Sequence, residues 1–331
     1  MHEASPLDSD VPYVIRPMPM SPAITLSALN KSFGSKRAVI DLDLQVPRGA
    51  LYGIIGPNGA GKSTSLRMIL SILFPDSGRI GVLGEDSALK AKDRIGYLPE
   101  ERGVYRKMRI ADFLLHMAVL KSVPRATARA RVREWLERVG LPEVANKRAE
   151  ELSKGMQQKI QFIAAVIHQP ELLILDEPFS GLDPVNMRLL RDLIVAEHQR
   201  GTTILFSTHV MQQAEQLCQH IVMIHDGRKV LDDTLATIQS RHAPRSLRFL
   251  PLDPQADVAA ALQPLPGITN ISQVDGNWQI GLDPAANPAA LVQSVAAALA
   301  PARLELLRPN LEDIFIGIVH GSHSAAEQTA A

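Results

Sequence analysis

Apolar and polar residues alternate with period two over Ile24 to Leu29 and over Val39 to Val46, the spacing of half-buried strands. Leu51 to Ile55 is a short unbroken apolar run that stops at Gly56, and helical spacing follows from Lys62 to Leu73. Helices are predicted over Arg109–Lys121, with Ile110, Phe113, Leu114, Met117 and Leu120 on one face, over Ala126–Val139 and over Met156–His168, where Pro170 ends the pattern. The apolar runs Leu172–Leu175, Thr203–Phe206 and Ile221–Ile224 are separated by helical stretches Pro184–Gln199 and Val210–Cys218. Continuous apolar strands between helices predict an α/β fold with a parallel sheet buried on both faces.

Near Ala243 the pattern changes. Strand Ser246–Leu250, helix Pro254–Leu262, strands Ile268–Val274 and Asn277–Leu282 around an Asp275-Gly276 turn, helix Ala289–Leu299 and strand Arg303–Leu307 give the order βαββαβ, with a short helix Leu311–Val319 after it. That is the order of a ferredoxin-like α+β unit. Met1–Pro22, with five prolines and scattered acids, is expected to be a flexible leader, and 321–331 a disordered tail. The expected domains are therefore 23–240 and a smaller one at 244–320.

A chain of 331 residues accommodates two domains, and 46% apolar residues can fill a core in each. Thirty-five basic and 35 acidic residues cancel, which argues against a protein that coats nucleic acid. A single cysteine, Cys218, excludes an intrachain disulfide. No apolar run is long enough to span a bilayer, so a membrane role has to come through a partner.

Gly56-Pro57-Asn58-Gly59-Ala60-Gly61-Lys62-Ser63-Thr64 fits the phosphate-loop pattern between a strand and a helix. Glycines let backbone amides turn toward phosphate oxygens, Lys62 supplies a charge for the β- and γ-phosphates, and Ser63 offers a hydroxyl to Mg²⁺. The run Leu172–Leu175 delivers Asp176 and Glu177 to the same sheet edge, Asp176 to hold Mg²⁺ and Glu177 to polarise the attacking water. Acids after a strand would by themselves be read as a solvated loop; the neighbouring phosphate loop changes that reading.

Leu152-Ser153-Lys154-Gly155-Met156-Gln157-Gln158-Lys159 resembles the signature motif of ATP-binding-cassette (ABC) proteins, with Lys154 in place of the first glycine and Met156 in place of the glutamine. Ser180-Gly181-Leu182-Asp183 resembles the family's D-loop, His209 its switch histidine, and Phe33 the aromatic that stacks on adenine. Glu100 stands where most members carry the Q-loop glutamine. The resemblance implies a P-loop NTPase cassette, a mixed-sheet core with a helical subdomain at about 105–168, using ATP and Mg²⁺. Glu177, His209 and Lys62 would be catalytic. Phe33, the phosphate loop, Ser153, Gly155 and Asp183 would bind nucleotide, and Ser63, Glu100 and Asp176 would lie at the metal. Leu98–Gly103, the signature variant and Leu311–Phe315 are similar to those of the exporter branch that extrudes sodium, drugs or lipids. That likeness implies ATP-driven pairing of two cassettes, a homodimer being expected, on a separate membrane permease, at the cytoplasmic face of the cell membrane and with no nucleic-acid partner. The alternative is an ABC ATPase acting on ribosomes or DNA. His320 and His323 read as part of a polar tail rather than a metal site.

Overall fold

The computed structural model describes residues 21–101, 103–241, 246–274 and 276–319. Most of the expected leader, the expected tail, His320, His323, Arg102 and Asp275 of the expected turn lie outside them.

Strands β1 (Ile24–Phe33), β2 (Lys36–Val46) and β4 (Ser77–Val82) form an antiparallel sheet in the order β2-β1-β4. The alternation of β2 changes phase part-way. Leu29 pairs with Leu42 but Lys31 with Val39, so β2 holds one extra residue, next to Asp41 with φ 47°. Asn30 and Asp41 bond reciprocally across this bulge at 3.0 Å.

The second sheet has the order β5-β6-β7-β3-β8-β9, with β3 (Leu51–Ile55), β5 (Ile95–Leu98), β6 (Leu172–Asp176), β7 (Thr203–Thr208) and β8 (His220–His225) parallel and β9 (Arg228–Thr234) antiparallel at its edge. Successive residues enter different cores. Leu172, Ile174 and Leu205 join the one shared with the three-stranded sheet, while Leu173, Leu175 and Ile204 join the one shared with the helices. This double burial is why these strands read as unbroken apolar runs.

Helix α1 (Lys62–Ile69) is shorter than expected: Ser71 turns left-handed at φ 57°, and Ile72 is exposed. The helical subdomain contains α2 (Ile110–Leu120), α3 (Arg125–Arg138) and α4 (Lys154–Val166). The buried face of α2 is Ile110, Phe113, Leu114 and Ala118; Leu120, expected on that face, is exposed. Helices α5 (Pro184–Gln199), α6 (Met211–Leu217) and α7 (Leu235–Arg241) complete the cassette.

The C-terminal strands β10 (Ser246–Pro251), β11 (Ile268–Val274), β12 (Asn277–Leu282) and β13 (Pro301–Leu307) pair antiparallel in the order β11-β12-β10-β13, the ferredoxin-like arrangement. With α8 (Val258–Leu262) and α9 (Pro288–Ala298) they enclose their own core around Leu247, Phe249, Ile280 and Val295. Helix α8 starts later than expected because Asp253 accepts from the Gln255 amide (2.9 Å), forming a turn, and Asp257 caps the helix by accepting from Ala260 N (3.0 Å). The last helix, α10 (311–319), leaves this unit: Leu311 and Ile314 are buried in the cassette's core, and Leu311 N donates to Glu215 Oε1 at 2.7 Å.

Candidate functional site

The chain passes from β3 to α1 through Gly56–Gly61. Two glycines here are required by close backbone approach. A β-carbon on Gly56 (φ 152°) would stand 2.1 Å from the Ile224 carbonyl oxygen, and one on Gly61 (φ 109°) 2.3 Å from that of Ala38. Gly61 precedes α1 with no side chain bonded to the first-turn amides, which leaves the positive end of the helix open to an anion. Lys62 is buried. Its ammonium donates to the carbonyls of Gly56 (2.9 Å) and Pro57 (3.1 Å) and lies 3.7 Å from Glu177 Oε1.

Asp176 ends β6 wholly buried. Its Oδ1 accepts from Ser63 Oγ (3.0 Å) and Ser207 Oγ (2.6 Å), while its Oδ2 is buried with no hydrogen-bond partner among the described residues. Buried carboxylate oxygens are seldom left unpaired. Next to a serine hydroxyl this one offers the hard oxygen ligand that Mg²⁺ takes. Among the described residues no three His, Cys, Asp or Glu side chains cluster to hold a metal by themselves. Mg²⁺ would therefore share phosphate oxygens, its usual habit, and the residues present fit it.

Glu177 follows with φ 49°, a left-handed conformation that costs energy for a side-chain-bearing residue. Ser207 holds it there, its carbonyl and hydroxyl oxygens accepting from Glu177 N at 3.1 and 3.2 Å. The turn leaves Glu177 only 7% exposed, and its Oε1 accepts from His209 Nδ1 at 3.0 Å. Lys62, Glu177 and His209, far apart in sequence, thus converge on one carboxylate oxygen. Lys62 and Glu177 line a cleft of about 400 Å³ together with Phe33, residues of the phosphate loop and Glu100, a volume suited to a small ligand. Phe33 is half exposed on the rim. Burial raises the Tyr97 phenol above its ordinary range, and the charge of Asp176 adds to that.

Ser153, Gly155 and Asp183 do not line this cleft; Gly155 instead packs against the start of α5, beside Asp183. Ser153 caps α4, its Oγ accepting from Met156 N at 3.3 Å. Asp183 caps α5 by accepting from Asn186 N at 2.9 Å, and this bond holds its carboxyl below the usual range. A β-carbon on Gly155 would stand 3.0 Å from Asn186 Nδ2 and 3.8 Å from a Leu182 methyl. The signature segment and the D-loop segment therefore form one surface. Sequence reading did not single out Ser207 or Asn186. Ser207 lies two residues before His209 on β7, but nothing in its type announces the bond to Asp176. Outside the cleft, His220 stacks on Tyr52 with ring centroids 4.1 Å apart and bonds Asp232.

The ABC transporter family pattern matches residues 39–180. The chain is similar to the ABC transporter ATP-binding protein YhaQ of Bacillus subtilis, 44% identical over 69% of this chain and 79% of that protein. It is similar to the daunorubicin resistance ATP-binding protein DrrA3 of Streptomyces coeruleorubidus, 33% identical over 89% and 95% of the two chains. It is also 37% identical to the Nod factor export ATP-binding protein I of Paraburkholderia xenovorans, over 63% and 70%. A solved ATP-binding subunit of an ABC transporter superposes with a TM-score of 0.61 at 29% identity, over 66% of this chain and 92% of that one. With this fold and this degree of shared sequence, the chain belongs to the ATP-binding subunits of ABC transporters and is an ATPase.

Proposed function

We propose that the chain drives export through a separate membrane permease, by ATP-dependent pairing with a second copy of itself. The observation that carries the reading is the meeting of Lys62 and His209 on Glu177 Oε1 beside the buried end of the phosphate-loop cleft. In it, Phe33 stacks on adenine and the loop from Gly56 to Thr64 surrounds the phosphates. Ser63 and Asp176, with Glu100 lining the same cleft, would hold Mg²⁺. When bound, the metal neutralises phosphate charge and orients the γ-phosphate. Glu177 accepts a proton from the attacking water, and His209 fixes the direction of that carboxylate through its Nδ1–H. The strained φ at Glu177, clamped by Ser207, keeps the base aimed.

Ser153, Gly155 and Asp183 stand together away from the cleft, which supports a half-site that closes on the nucleotide of a partner subunit. Two copies arranged head to tail then bury two ATP molecules, and hydrolysis releases them. Among the described residues no helix is long and apolar enough to cross a membrane. Exposed Ile72 and Phe74, brought near Leu89 by the Ser71–Ser87 hydroxyl contact at 3.2 Å, offer an apolar patch for a permease. The chain then works peripherally on the cytoplasmic face of the cell membrane. The export direction draws on the exporter-type motif variants and on the Nod factor export relative. The domain limits proposed are 23–240 for the cassette and 244 to the end of β13 for the accessory unit; the expected limit of 320 moves back because Leu311 and Ile314 of α10 are buried in the cassette's core.

The test is Glu177→Gln. It keeps the side chain's shape and removes the proton acceptor. Hydrolysis is expected to fall about 100-fold or more, with ATP still bound and a dimer accumulating in Mg-ATP, seen as a doubled mass by light scattering. Lys62→Ala should instead lose nucleotide. Wild-type turnover by Glu177→Gln would remove Glu177 as the base, and an ATP-loaded protein that stays monomeric would remove the pairing.

A further inference from the structure

Lys36 opens β2 at the edge of the cleft and belongs to none of the motifs above. Its backbone is paired with that of Phe33 across the tight β1–β2 turn. Its ammonium lies 3.8 Å from where a β-carbon on Gly59 would stand, and its side chain lines the cleft. The side chain therefore spans from the strand that carries Phe33 to the phosphate loop. Among the described residues it makes no ion pair or hydrogen bond, whereas the neighbouring Lys31 is held by Asp76 at 2.7 Å. Glu100 and Glu177 line the same cleft, so Lys36 shares it with two acids. Lys62 sits at the buried end of the same cleft.

We infer that Lys36 is a second phosphate-binding cation, one that contacts the phosphates nearest the ribose. The inference rests on reading the cleft as the ATP site, with the base on Phe33. A nucleotide reaching from Phe33 to Lys62 must pass Lys36 with its α- and β-phosphates, while its γ-phosphate lies at the deep end. Those two phosphates are common to ATP and ADP. Lys36 accordingly sets retention of the product as well as capture of the substrate, and discriminates against nucleosides and monophosphates.

The test is calorimetric titration of the full chain with ATP and with ADP at low and moderate salt. Lys36→Ala, an exposed change, should weaken both ligands by a similar factor, about 5- to 20-fold, the scale of one charge-assisted contact partly exposed to solvent. Lys36→Gln should behave like the alanine variant and Lys36→Arg like wild type, and the alanine variant should show a weaker dependence of affinity on salt. Unchanged affinities in Lys36→Ala would overturn the inference, as would a loss confined to ATP, which would put the lysine at the γ-phosphate or on a partner. Lys62→Ala separates the two levels. If it weakens nucleotide while Lys36→Ala does not, only the role of Lys36 falls. If wild type binds neither nucleotide, the ATP-site reading falls with it.

Discussion

His168 follows α4 and donates from Nε2 to the Ile95 carbonyl at 3.1 Å, an oxygen that also accepts from Lys121 Nζ at 2.9 Å. Its Nδ1 is buried with no partner among the described residues. Burial first, and the Lys121 charge second, push this imidazole down to about 4. An unfolded histidine titrates near 6.5, so between the two values the unfolded chain binds the extra proton. Stability from this group is complete above about pH 6.5 and drains away toward about pH 4, by at most about 3 kcal/mol. In thermal unfolding across that window, His168→Gln is expected to show a shallower pH dependence than wild type. Parallel curves would eliminate His168 as the source. Glu177 shows the other side of the residue scale. An acid after an apolar strand is legible from the chain, but its left-handed backbone and its bond to His209 are set by Ser207 and β7, which arrive from elsewhere in the sequence.

Among the elements, α4 has two tasks at one residue. Ser153 Oγ caps the helix through Met156 N, and the same hydroxyl is proposed to meet a partner's nucleotide. Ser153→Ala should lose about 1 kcal/mol of stability, and Ser153→Gly only a few tenths, because glycine is a tolerable cap. If the hydroxyl serves only as a cap, the glycine variant recovers hydrolysis along with stability. The expected outcome is that melting recovers and hydrolysis stays low. The ends of elements were harder to read than their cores. Helix α1 was expected to reach Leu73 and stops at Ile69 where Ser71 turns left-handed, and the late start of α8 follows from the Asp253 turn. Strand β9 and helix α7 were not foreseen, since an edge strand with mixed burial shows neither clean alternation nor an apolar run.

For the whole molecule, the main departure is α10. In sequence it follows the last C-terminal strand, yet Leu311 and Ile314 are buried with the cassette, and the Phe315 ring lies edge-on to His225 with centroids 5.5 Å apart. The C-terminal unit is thus inserted between two parts of the cassette's core. Leu311→Ala is expected to destabilise the cassette by about 2–5 kcal/mol, the range for emptying a buried leucine site, and to lower the melting transition that ATP raises. A change confined to a separate, ATP-insensitive transition would show that α10 belongs energetically to the accessory unit. Cutting the chain at Ser240 also removes these two side chains, so such a protein should melt earlier than the full chain while keeping its phosphate loop.

The chain by itself determined the strands buried on both faces, the phosphate loop between β3 and α1, the acids after β6 and the βαββαβ order of the C-terminal unit. Each depends on local spacing or on residue types within a few positions. Tertiary structure decided which distant groups share an atom: Ser63 and Ser207 on Asp176 Oδ1, Lys62 and His209 on Glu177 Oε1. It also decided that Lys36 reaches the loop, that Ser153, Gly155 and Asp183 share a surface away from the cleft, and that α10 returns to the cassette. These depend on β6, β7 and β3 lying side by side and on helices packing across the sheet, and contacts between residues from 31 to more than 100 positions apart leave no periodicity in the sequence to be read.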